Sequence, residues 1–286
     1  MMDRYDVNQP VRLKKGVYRL NQERNFDYQL NRVINWDGGR IEDIKPIADR
    51  IRTSSDWKRE LIALGDTAME EGRTENAIAY YRMSEFFMYD GDPDKKAYYE
   101  KATKLFYEYY ADYFEGDDPR IEKLNVPYEN VKLPVMHVVP NGKSKGTILL
   151  HGGNDSYFEE FLFTVLYLKE QGFEVYMFEG PGQGGVVRNQ GKHFTYEWER
   201  PVKAVLDGLS PATDYSYKLV IGGSDIGESK TFTTEQAPAI PNGSFEQTSK
   251  SASGNYTEFY SSYESAWWGS GNGSKGVNGS AEASEA

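Results

Sequence analysis

Two short glycine-rich stretches carry residue types from which a reaction site can be built. The first is His151-Gly152-Gly153-Asn154-Asp155, directly after the apolar run Thr147-Ile148-Leu149-Leu150. Two glycines behind a strand let the backbone turn sharply, so that free N–H groups can face a cavity and hold a developing oxyanion. The second stretch is Gly180-Pro181-Gly182-Gln183-Gly184-Gly185, directly after the run Phe173 to Phe178. It matches G-x-G-x-x-G in form. The dinucleotide fingerprint, however, needs a helix that opens at the glycines, and Val186 to Gly191 shows no helical period. This stretch therefore reads as a turn, and no cofactor is implied.

A third stretch, Gly222-Gly223-Ser224-Asp225-Ile226-Gly227, looks briefly like a nucleophile elbow, because a strand leads into Gly-x-Ser. Ile226 stands where the second elbow glycine belongs, and the residues that follow are β-rich rather than helical. Ser224 is expected to be a hairpin-turn serine. The chain has three histidines, His137, His151 and His193, far apart and without HExxH spacing, so no metal site is expected. None follows His193, so no downstream base can activate Ser224. Without cysteine there is no thiol nucleophile and no disulfide.

The elements that must position these turns are legible. Thr147 to Leu150 has no alternation, as expected of a central parallel strand buried on both faces. Phe158, Phe161, Leu162, Val165, Leu166 and Leu168 recur at helical spacing, and Gly172 suits the stop. Phe173 to Phe178 forms the next strand. Strand, helix and strand make a right-handed βαβ unit whose ligands sit beyond the strands' carboxyl ends, where both turns lie. Upstream, Asn125 to Val139 alternates as one or two antiparallel edge strands. Before that the chain is helical: Ile41 to Thr53, Trp57 to Glu71 ended by Gly72, a partner opening at Thr74, and a long helix capped by Asp92-Pro93. The middle pair resembles a tetratricopeptide hairpin, in one copy only. Tyr98, Tyr99, Tyr107, Tyr109, Tyr110 and Tyr113 read as amphipathic packing or a pocket lining. Glu85 reads as a solvated or salt-bridged carboxylate or as a substrate-orienting one.

HGGND after one strand and EGPGQG after the next resemble the α/β-hydrolases, in particular those with a long helical segment ahead of the catalytic domain. The likeness covers about residues 17–207. It implies that Gly153 or Asn154 supplies half of an oxyanion hole, with His151, Gly152, Asp155, Gly180, Pro181, Gly182, Gln183 and Gly184 forming the family's turns. The implied chemistry is serine-type hydrolysis of small ester, amide or C–C substrates. The implied elbow serine, acid and histidine are missing from these residues, so the chain is expected to be inactive as given.

Near Asp207 the texture changes, with glycine and serine crowding in and leucine and isoleucine growing scarce. Leu209-Ser210-Pro211-Ala212-Thr213-Asp214-Tyr215 resembles the last hairpin of a fibronectin type III domain, where the tyrosine forms a corner. IPNGSFEQ and AWWGSGNG resemble the opening of a carbohydrate-binding jelly-roll of bacterial surface proteins, with Trp267 and Trp268 as sugar-stacking or core residues. The fold class expected is α/β: an N-terminal helical segment (1–120) plus a partial α/β-hydrolase sheet (121–207), then a fibronectin-like hairpin (208–237) and an incomplete β-rich tail (238–286). Two incomplete folds meeting near 205–209 read as a joining of two genes. The alternative function is a non-catalytic surface or carbohydrate-binding protein. A net charge of -11 with no basic run argues against nucleic acid, and the hydrolase resemblance implies a small-molecule substrate if there is one. The polar N-terminus and the lack of a membrane-length apolar run lead to an expected cytoplasmic location.

Overall fold

The computed structural model describes residues 4–9, 11, 16–35, 38–116, 119–153, 156–208, 214–221 and 224–233. The chain divides into two compact units. The first holds Met1–Lys123, Met136–Leu150 and Asp155–Met177, and the second holds Leu124–Val135, His151–Asn154 and Phe178–Ala286.

Six helices lead the first unit: α1 (Arg24–Asn35), α2 (Ile41–Ala48), α3 (Ser54–Glu70), α4 (Thr74–Ser84), α5 (Pro93–Tyr109) and the short α6 (Ala111–Phe114). Local chemistry sets their limits. Thr53 and Asp56 form a reciprocal capping box at the start of α3, and Asp92 accepts from Asp94 N–H with Pro93 at the first turn of α5. Trp57, Leu61 and Ala68 of α3 point into one core with Leu30, Ile44, Tyr80 and Met83. The Trp57 indole N–H donates to Met83 O at 2.6 Å, so the largest core side chain is also polar-satisfied.

Four strands form one sheet in the order β1-β2-β4-β3: β1 (Glu122–Tyr128), β2 (Val131–Val138), β3 (Thr147–His151) and β4 (Glu174–Phe178). The expected neighbours β3 and β4 are adjacent. Glu174 N–H donates to Gly146 O where both strands begin, so they run parallel. Between them the chain makes a 3₁₀ turn (Phe158–Phe161) and α7 (Leu162–Glu170), and Gly172 at φ +93° closes that helix. Two expectations are corrected. β3 is an edge strand among the described residues, and Thr147 to Leu150 are half-buried rather than enclosed on both faces. Asn125 to Val139 contains two strands, of which only β1 is an edge. An apolar run reports that something covers it and not where its strand stands in the sheet order.

The tyrosines of α5 and α6 are packing residues. Tyr99, Tyr110 and Tyr113 are buried, and Tyr110 and Tyr113 join Tyr5 and Phe163 in an aromatic cluster. Glu85 departs from the solvated reading: it is fully buried, its Oε1 accepts from the Tyr157 hydroxyl, and Lys95 Nζ lies 4.0 Å away. Burial raises the pKa of Tyr80, Tyr81 and Tyr110 above the ordinary 10.0 and pushes Tyr113 up to about 12. The folded state therefore keeps phenol protons that the unfolded chain gives up above pH 10. Their stabilisation is complete below pH 10 and is lost as pH climbs toward 12. Helical circular dichroism is expected to fall in that window together with the last part of the phenolate absorbance rise, because exposed tyrosines such as Tyr89 and Tyr196 do not report on the core. Helical dichroism that stays intact while the whole of the phenolate absorbance develops would contradict this.

The second unit contains α8 (Gly184–Arg188), α9 (Glu199–Asp207) and an antiparallel hairpin of β5 (Asp214–Ile221) and β6 (Ser224–Thr233). Ser224 opens β6 opposite Ile221. An elbow serine stands between a strand and a helix, whereas Ser224 is followed by a strand. The Tyr215 side chain, residues 238–286, and with them Trp267 and Trp268, lie outside the described residues. Among the described residues no helix is long and apolar enough to cross a membrane.

Candidate active-site turns

Both glycine-rich turns belong to the second unit, at the ends of β3 and β4. Of the first turn, His151, Gly152 and Gly153 are described; Asn154 and Asp155 lie outside the described residues. Gly152 is buried and Gly153 half-buried. Of the second, Gly180, Pro181, Gln183 and Gly184 are buried and Gly182 is half-buried.

The Gln183 side chain joins the two turns. Its Oε1 accepts from Gly180 N–H at 2.8 Å, and its Nε2 donates to Gly152 O at 2.6 Å and Gly153 O at 2.8 Å. Gln183 is 2% exposed, so these bonds form away from water and hold both turns in one geometry. Two further bonds fix the second turn: Gln183 N–H to Gly180 O at 3.1 Å and Gly182 N–H to Lys192 O at 2.8 Å.

His151 takes a defined tautomer. The Trp198 indole donates from Nε1 to His151 Nε2 at 3.3 Å, and an indole N–H can only donate. Nε2 is therefore the bare nitrogen, and Nδ1–H donates to Gly152 O at 2.7 Å. The surrounding protein lowers the His151 pKa below its ordinary value by desolvation, although part of the side chain still meets solvent. Trp198 stacks near Phe178 and Phe194, giving this corner an aromatic wall.

Gln183 is the feature of the site that the sequence hides, because a glutamine among glycines reads as one more turn residue. Its signal was a single amide side chain among glycines that offer none. The second turn also departs from expectation, since a short helix, α8, does open at Gly184. The dinucleotide reading gains nothing from it. The buried Glu179 side chain accepts from Gly185 N–H at 2.9 Å, so its carboxyl group already occupies the place a phosphate would need. Of the histidines, His137 lies in the first unit, its ring between Glu122 (2.8 Å) and Glu174 (2.9 Å). His193 is exposed in the second unit. No group of three His, Cys, Asp or Glu that could hold a metal occurs among the described residues.

No family model matches the chain. It is similar to the hydrolyase poxO of Penicillium oxalicum, at 29% identity over 73% of this chain and 57% of that one. It is also similar to the hydrolase acrC of Aspergillus aculeatus, at 30% identity over 58% of this chain and 44% of that one. Among solved structures, the 2,6-dihydroxy-pseudo-oxynicotine hydrolase aligns with a TM-score of 0.42 at 22% identity, over 62% of this chain and 52% of that one. The chain spans about half the length of the curated relatives it matches. Similarity to hydrolases thus accompanies a mixed α/β fold made of a helical segment and a four-stranded sheet. Both curated relatives come from fungi, so nothing supports the bacterial setting that the tail's resemblance implied.

Proposed function

We propose that this chain carries the first half of a serine-type α/β-hydrolase site, built to bind a small ester, amide or activated C–C substrate, and that its 286 residues are catalytically silent by themselves. The observation that carries the reading is the His151-Gly152-Gly153 turn at the end of β3, locked by Gln183 to the turn after β4. A backbone N–H held in that position is the kind of group that stabilises the oxyanion of acyl transfer. The similarity to hydrolases supports the same chemistry.

Silence follows from what accompanies that turn. Ser224 opens a strand instead of a helix, and no histidine follows His193. A serine without its base is a weak nucleophile at neutral pH. The full chain, incubated with a fluorophosphonate probe and analysed by mass spectrometry, is expected to carry no adduct. Stoichiometric labelling of Ser224 that disappears in Ser224→Ala would overturn the proposal. The other reading, a non-catalytic carbohydrate-binding protein, rests on Trp267 and Trp268, outside the described residues.

A further inference from the structure

We infer that Gln183 and His151 are positioning residues for an oxyanion donor: together they saturate the Gly152 carbonyl, and so aim and polarise the N–H of Gly153. This deepens the function proposed above and rests on it.

Three observations carry the inference. First, Gly152 O receives two donors, Gln183 Nε2 at 2.6 Å and His151 Nδ1 at 2.7 Å. A carbonyl oxygen has two lone pairs, so both are used. Second, the described peptides include no cis bond, so the Gly152–Gly153 unit is trans. In a trans peptide the C=O and N–H point in opposite directions. With its oxygen turned onto Gln183 and His151, the unit must turn the Gly153 N–H away from both. Among the described residues that N–H has no acceptor. Third, hydrogen bonds in a chain strengthen one another, by about 10–30% per bond. Two donors on the oxygen draw electron density through the amide and make the N–H a better donor.

The residue types fit the task. Gln183 must accept from Gly180 N–H and donate to two carbonyls from one end of a side chain, which requires an amide. Glutamate could make the first bond and neither of the others. His151 can donate from Nδ1 while its Nε2 accepts from Trp198, which fixes the ring.

The test uses the full chain labelled with ¹⁵N-glycine, the Gly153 cross-peak being assigned by its loss in Gly153→Ala. Methylphosphonate serves as the oxyanion probe. In the unsubstituted chain it is expected to shift the Gly153 peak saturably. Gln183→Glu and Gln183→Ala are expected to displace that peak before any probe is added and to weaken methylphosphonate binding about tenfold. His151→Phe keeps the ring and loses one donor, so it should displace the peak in the same direction by less. A Gly153 peak that stays in place in both Gln183 variants would overturn the inference while leaving the hydrolase reading intact. A peak that moves in the variants but ignores methylphosphonate in the unsubstituted chain would uphold the bracing and remove the oxyanion role. Should the variants fail to fold, the unsubstituted chain decides. In a uniformly ¹⁵N,¹³C-labelled sample of that chain, through-bond scalar coupling from Gln183 Nε2 to the Gly152 and Gly153 carbonyl carbons supports the inference, and its absence overturns it.

Discussion

Replacing Arg32 with methionine is expected to lower the unfolding free energy by about 3–5 kcal/mol. Arg32 Nε donates to Glu160 Oε2 at 3.0 Å, and its Nη2 donates to Oε1 at 2.7 Å and Oε2 at 2.8 Å. The two side chains are 10% and 0% exposed. Methionine preserves the aliphatic stem and some contact with Phe86, over whose ring the guanidinium now lies, but it leaves the Glu160 carboxylate buried without its cation. The backbone N–H of Tyr157 also donates to that carboxylate, at 3.2 Å, so Glu160 cannot turn outward without opening the start of the 3₁₀ segment. A buried ion pair is worth little beside a well-packed apolar pair, whereas half of one is costly. Arg32→Met with Glu160→Leu is therefore expected to recover most of the loss. Urea unfolding at neutral pH, followed by helical circular dichroism, measures both. A loss below about 1 kcal/mol for Arg32→Met would place the pair with ordinary surface bridges and refute the argument.

That pair shows where the sequence stops being legible. Arg32 and Glu160 are separated by 128 positions, and nothing local in either helix announces the other. The same holds for Glu85, whose sequence surroundings leave solvated, salt-bridged and substrate-orienting roles open because its partner Tyr157 is 72 positions away. Signals that live within a few residues were readable: Asp92-Pro93 starting α5, Gly72 ending α3, and the helical spacing that led to α7 between β3 and β4. Both glycine-rich turns were found because a glycine pair after an apolar run is a local pattern. What joins them, the Gln183 amide reaching Gly152 and Gly153, spans 31 and 30 positions and had to be seen in three dimensions. The edge position of β3 was hidden for a similar reason, since sheet order depends on which strands pair and not on the composition of one of them.

Gly184→Ala is expected to cost about 2–4 kcal/mol, from a strained backbone and an overlap that cannot relax. Gly184 sits at φ +31°, a conformation that L side chains rarely adopt. A Cβ built there would overlap Oε1 and Cδ of Glu179 and lie 2.7 Å from its Oε2. An exposed carboxylate would swing aside at little cost. Glu179 is 2% exposed, its Oε2 accepts from Gly185 N–H at 2.9 Å, and its own N–H donates to Pro134 O at 3.1 Å, so both ends of the residue are held. A double-mutant cycle separates the two contributions. In a Glu179→Ala background the overlap is gone, and Gly184→Ala should then cost only the backbone part, about 1–2 kcal/mol. Because the same turn carries Gln183, the Gly153 cross-peak should also move in Gly184→Ala and return toward its original place in the double variant. An equal penalty in both backgrounds would mean that Glu179 does not confine Gly184, and the glycine would then be required for its backbone conformation alone.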